Sequence, residues 1–128
     1  MINSYLLPIP SNKEFVQARV FDYKRGYMFE LMIGDAQHPS FDVCPLSEKR
    51  EIIIYVGSDC KDYLSDYFED FIKVELGDKR DLEAAIRALR IKFPNAGLYV
   101  ACSKQDTRRL QQKFPLVAFL PDDYCFSR

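Results

Sequence analysis

The chain has 128 residues, a formal net charge of −1, 48% hydrophobic residues and 29% charged residues. That length suits one domain with its own core, and the ordinary hydrophobicity with near-neutral charge excludes a disordered chain. No stretch approaches the roughly 20 apolar residues of a membrane helix, and MINSYLLPIPSNKEF lacks the basic start and apolar run of a secretion signal, so a cytoplasmic location is expected.

Residues Ser4 to Ile9 form a short apolar run closed by Pro8 and Pro10. Ser11-Asn12-Lys13-Glu14 then fits a capping box, and Lys24-Arg25-Gly26 fits a helix end with basic residues and a glycine cap. These signals predict a helix from about 12 to 25. The rival reading is a hairpin turning at Lys24–Gly26, because Val16, Ala18 and Val20 also alternate with polar residues. Tyr27 to Ile33 reads as a strand, followed by a loop from Ala36 to Leu46 with an extended piece near Phe41–Cys44. Glu51–Val56 is a continuous apolar, β-branched strand stopped by Gly57, as expected of a strand buried on both faces.

Ser58 or Asp59 can cap a helix running to about Lys73, with Tyr63, Leu64, Tyr67, Phe68, Phe71 and Ile72 on one side. A further helix is predicted over Lys79–Phe93, with Leu82, Ile86, Leu89 and Phe93 as its stripe and Pro94 as its stop. Ala96–Cys102 reads as a strand. Ser103 with Asp106 caps a short helix to about Phe114, and Leu116–Leu120 returns as a strand, which implies a parallel crossover. The expectation is a single α/β domain: a small mixed β-sheet covered by about four helices, with helices on both faces.

Charge is unevenly spread. Residues 59–83 hold nine acidic and four basic residues, a net of −5, whereas residues 84–128 hold three acidic and eight basic, a net of +5. The acidic part centres on Asp62, Tyr63, Asp66, Tyr67, Glu69 and Asp70. Carboxylates beside aromatic anchors suit a basic protein partner, whose approach such a surface would steer. On these residues the chain resembles the small immunity proteins of bacterial toxin–immunity systems, including those of contact-dependent growth inhibition. The resemblance implies a non-enzymatic protein that neutralises a toxin domain, such as a nuclease with a basic groove, through the six residues just named.

The alternative is enzymatic. Cys102-Ser-Lys-Gln-Asp-Thr-Arg108 has the Cys-x5-Arg spacing of cysteine-dependent phosphatases, placed where a strand meets a helix. In that family the loop amides and the Arg hold phosphate while the thiolate attacks. This stretch contains no glycine, and Arg109 stands where that family usually supplies a hydroxyl residue. Arg87, Arg90, Lys92, Lys104, Arg108, Arg109 and Lys113 could share a basic face, but the neighbouring acidic segment would repel nucleic acid. Cys44, Cys60, Cys102 and Cys125 form no close pair and His38 has no thiol nearby, so no metal and no cofactor is expected.

Overall fold

The computed structural model describes residues 3–8, 16–22, 24–34, 42–43, 46, 50–57 and 70–120. Eight strands form one sheet: β1 (Asn3–Pro8), β2 (Val16–Asp22), β3 (Tyr27–Gly34), β4 (Asp42–Val43), β5 (Glu51–Val56), β6 (Ile72–Leu76), β7 (Gly97–Ala101) and β8 (Ala118–Phe119). Their spatial order is β4-β1-β3-β2-β6-β5-β7-β8. Only β2 runs antiparallel to its neighbours, β3 and β6; the other pairs are parallel. The sheet is therefore mixed, with a parallel half, β6-β5-β7-β8, joined to a hairpin.

That hairpin replaces the helix expected over residues 12–25, of which 12–15 and 23 lie outside the described residues. Val16, Ala18, Val20 and Asp22 are buried, while Gln17 and Arg19 between them are exposed. This period of two is what a half-covered strand needs. Gly26 has φ +75°, a conformation that closes a tight turn as readily as it caps a helix, so the glycine alone could not separate the two readings. The Arg25 amide donates to the Asp22 carboxylate at 3.3 Å and so helps close the turn.

The helix expected over Asp59–Lys73 is corrected at its end. Residues 58–69 lie outside the described residues, but Ile72–Leu76 is a central strand paired with β5 and β2. Ile72, Val74 and Leu76 face the core, yet Lys73 and Glu75 interrupt the apolar run, which disguises a sheet-interior strand. The expected strand Leu116–Leu120 is shortened to Ala118–Phe119.

Among the described residues there are two α-helices, not about four: α1 (Leu82–Lys92) and α2 (Lys104–Lys113). Asp78 caps a 3-10 turn, Lys79–Asp81, that leads into α1; its carboxylate accepts from the Arg80 amide. Ser103 caps α2 by accepting from the Asp106 amide. The helices end alike: each closes on Lys-Phe-Pro, at Lys92–Pro94 and Lys113–Pro115. Phe93 and Phe114 donate back to Leu89 and Leu110. The prolines that follow cannot continue either helix.

Both helices lie on the same face of the sheet; of the two segments expected to supply a helix on the other face, residues 16–22 form β2 instead, and residues 59–69 lie outside the described residues. Leu82, Ala85, Ile86, Leu89 and Leu110 join Ile52, Ile54, Val56, Val74, Leu98 and Val100 in one core. The connections β6–α1–β7 and β7–α2–β8 step along the sheet in the same direction, so the same crossover hand places both helices together. The opposite face is buried over β5 as well. Ile53, Tyr55 and Ala101 form a second cluster with Phe71, Tyr99 and Leu120 against it, and the Phe71 and Tyr99 rings meet edge to face at 5.2 Å. The expectation that Ile52–Val56 is buried on both faces therefore holds.

Candidate functional site

Alternation along β2, β3 and β6 puts the apolar residues under α1 and leaves charged residues on the other face. In register, Arg19 stands opposite Glu30 on β3 and opposite Glu75 on β6. Where β6 ends, Gly77 and Asp78 turn the chain into the 3-10 segment carrying Asp81. Together with Gln17 and Ala18, these residues line a recess of about 430 Å³. Four carboxylates face one guanidinium there, so the lining is net negative.

Two of the carboxylates are positioned by neighbours. The Tyr55 hydroxyl donates to Glu75 Oε2 at 3.3 Å. Just past the end of β5, a Cβ at Gly57 would fall 2.8 Å from Glu75 Cδ, so the bare glycine leaves room for that side chain. Asp78 accepts from the Arg80 backbone amide at 2.9 Å and from Arg80 Nε and Nη2 at 3.0 and 2.8 Å. These bonds hold its carboxyl below the usual range, the Arg80 side chain acting most strongly. The side chains of Glu30, half-buried, and Arg19, exposed, make no hydrogen bond or ion pair among the described residues.

Of the residues expected to bind a partner, Asp62, Tyr63, Asp66, Tyr67 and Glu69 lie outside the described residues. Asp70 is described and exposed, just before β6, at the opposite end of that strand from the recess. Its carbonyl accepts from Arg50 Nη2 at 2.9 Å. Arg50 also reaches both oxygens of the buried Asp22 at 3.2 Å. That arrangement ties the hairpin to the starts of β5 and β6, and it is a structural clamp rather than a reactive centre.

The Cys-x5-Arg stretch is built as a strand end and a helix start. Cys102 is buried, and its sulfur lies 3.3 Å from the Thr107 hydroxyl. α2 begins two residues later. The Asp106 amide is spent on the Ser103 hydroxyl and the Thr107 amide on the Ser103 carbonyl. Ser103 Oγ in turn donates to Asp106 Oδ2 at 2.9 Å. A phosphate cradle needs such amides to converge on one anion; here they follow the helix, and Arg108 is exposed on it.

The basic residues of α1 and α2 are largely engaged. Glu83 collects Arg87 at 3.1 Å, Arg109 at 3.7 Å and Lys113 at 2.7 Å. Hydrogen bonding from Lys113 contributes most to holding the Glu83 carboxyl below its ordinary range. Arg90 donates to the carbonyls of Pro94 and Ala96. Lys92, Lys104 and Arg108 remain exposed. Among the described residues no three His, Cys, Asp or Glu side chains converge as a metal site, and no helix is long and apolar enough to cross a membrane. His38, Cys44, Cys60 and Cys125 lie outside the described residues.

Sequence reasoning missed the recess because its walls come from the hairpin read as a helix and from the strand hidden by Lys73 and Glu75. The available signal was the alternation Gln17, Arg19 and Phe21 along one side of β2. No family of known proteins, no curated protein and no solved structure was found to match this chain.

Proposed function

We propose that this chain is a non-enzymatic binding protein of the immunity type, which neutralises a basic toxin domain by covering its working surface. The observation that carries the reading is the carboxylate-lined recess, with Glu75 and Asp78 held in place before any partner arrives. Preorganised carboxylates lose little freedom on binding and favour cationic partners. The acidic-aromatic residues Asp62, Tyr63, Asp66, Tyr67, Glu69 and Asp70 belong to the same proposal as a second contact surface. The engaged cations of α1 and α2 also favour a protein partner over nucleic acid, since ion-paired Arg and Lys offer phosphate less.

The test uses the toxin domain that this reading places immediately upstream of the gene. Cells expressing the chain should survive induction of that domain. A chain carrying Asp66→Lys and Asp70→Lys should associate more slowly and with weaker salt dependence. Its fold should be kept, because Arg50 binds the Asp70 carbonyl and not its carboxylate. Absence of any toxin gene beside it, or killing that the chain does not relieve, would overturn the reading.

A further inference from the structure

The fold gathers onto one side the cations that the sequence spreads over residues 87–113. α1 and α2 together carry seven basic and two acidic residues, a net of +5, and both pack on the same face of the sheet. A net of +5 within a chain of net −1 leaves −6 on all other residues, so the helix layer is the positive side of the molecule. Arg87, Lys92, Lys104, Arg108, Arg109 and Lys113 are exposed on it. One carboxylate, Glu83, is shared by three of them, which leaves that cluster net positive. Two apolar side chains break the same surface: Ile91 is 60% exposed and Leu116 is 87% exposed. Ile91 lies two residues beyond the buried Leu89, about 200° around the helix and so away from the sheet. The crossovers to the parallel strands β7 and β8 bring the C-terminal ends of both helices to the edge where those strands begin. Ile91 and Lys92 therefore share one end of the layer with Lys113 and Leu116.

We infer that the helix layer docks on an anionic phospholipid surface, its cations facing the headgroups and Ile91 and Leu116 entering the headgroup region. The inference goes beyond the binding-protein reading and does not depend on it. Attraction to a charged bilayer follows the net charge held within a Debye length, so cations that share one carboxylate still contribute. Exposed aliphatic side chains among cations suit an interface that has apolar chains just below its phosphates. Nucleic acid fits less well, because single strands are held by aromatic stacking and neither helix contains an aromatic residue. Glu75 bonds Tyr55 on the opposite face of the sheet, which keeps its carboxylate away from the lipid phosphates.

The experiment is cosedimentation of the full chain with vesicles of phosphatidylglycerol mixed with phosphatidylcholine, and with vesicles of phosphatidylcholine alone. Only the anionic vesicles should carry the chain down. Binding should fall when salt rises from about 0.01 M to about 0.15 M, which shortens the Debye length from about 30 to about 8 Å. Lys104 and Arg108 make no ion pair among the described residues, so Lys104→Gln with Arg108→Gln should keep the urea midpoint. Each lost cation is expected to weaken binding about fivefold, so the double variant should lose at least about tenfold. Leu116→Ser should weaken binding several-fold and leave its salt dependence unchanged. The chain has no tryptophan, so Leu116→Trp introduces a single indole whose emission should shift to the blue with anionic vesicles. Equal sedimentation with phosphatidylcholine alone, binding unchanged in the double variant, or an indole emission that does not move overturns the inference. Tighter binding of a short DNA duplex or of polyglutamate than of the anionic vesicles also overturns it, assigning the layer to nucleic acid or to an acidic protein.

Discussion

Replacing Arg50 with methionine would test how the hairpin and the parallel half of the sheet hold each other. The Asp22 side chain is only 4% exposed, and Arg50, at 15%, meets both of its oxygens at 3.2 Å. Arg50 also binds the carbonyl of Asp70 at 2.9 Å. After Arg50→Met, the Asp22 carboxylate keeps the Arg25 amide at 3.3 Å as its donor among the described contacts. Removing one partner of a buried ion pair costs about 3–5 kcal/mol because the remaining charge stays desolvated. Water reaches the outer edge of Arg50, so the lower end, about 3 kcal/mol, is expected. That is a large part of the 5–15 kcal/mol by which domains are typically stable. Asp22→Asn in the same chain removes the stranded charge and leaves an oxygen for the Arg25 amide. The double variant should therefore lose at least about 1 kcal/mol less than the two single losses added together. Urea unfolding at pH 7 measures all four chains, with a constant denaturant slope as the check on two-state behaviour. A loss below about 1 kcal/mol for Arg50→Met, or strict additivity in the cycle, would refute the clamp.

Two further outcomes follow from packing and charge. Ile53 is fully buried on the face away from α1 and α2, so Ile53→Ala should cost about 2–5 kcal/mol in denaturant melts; a cost below about 1 kcal/mol would mean that face is loosely covered. Glu83 has its carboxyl pKa lowered from 4.5 by Lys113, Arg87 and Arg109. Its contribution is thus complete above pH 4.5 and fades as pH falls through the lower folded value. Its side chain is 29% exposed, so Glu83→Gln should cost only about 1 kcal/mol at pH 7, and that difference from the unmodified chain should shrink progressively below pH 4.5. A difference that persists unchanged into acid would show that the carboxylate charge is not what binds α1 to α2.

The elements whose signals were local could be read from the sequence alone. Glu51–Val56 is β-branched and apolar at consecutive positions, and no other short structure hides such a run so well. Ser103 and Asp106 announced the start of α2, and Phe-Pro pairs marked the ends of both described helices, because caps and proline act within a few residues. The strand–helix–strand passage from Gly97 to Phe119 was legible for the same reason. Asp70 is exposed just before β6, and the recess went unseen. The hairpin was undecidable locally: Gly26 serves a turn or a cap, and Val16 and Val20 satisfy either period. Pairing with Leu31 and Ile33 on one side and with Val74 and Leu76 on the other settled it. β6 likewise exists as a strand because β2 and β5 flank it, which overrides the presence of Lys73 and Glu75 in its middle. The recess needed both decisions. Arg19, Glu30 and Glu75 are far apart in the chain, and only strand register sets them side by side.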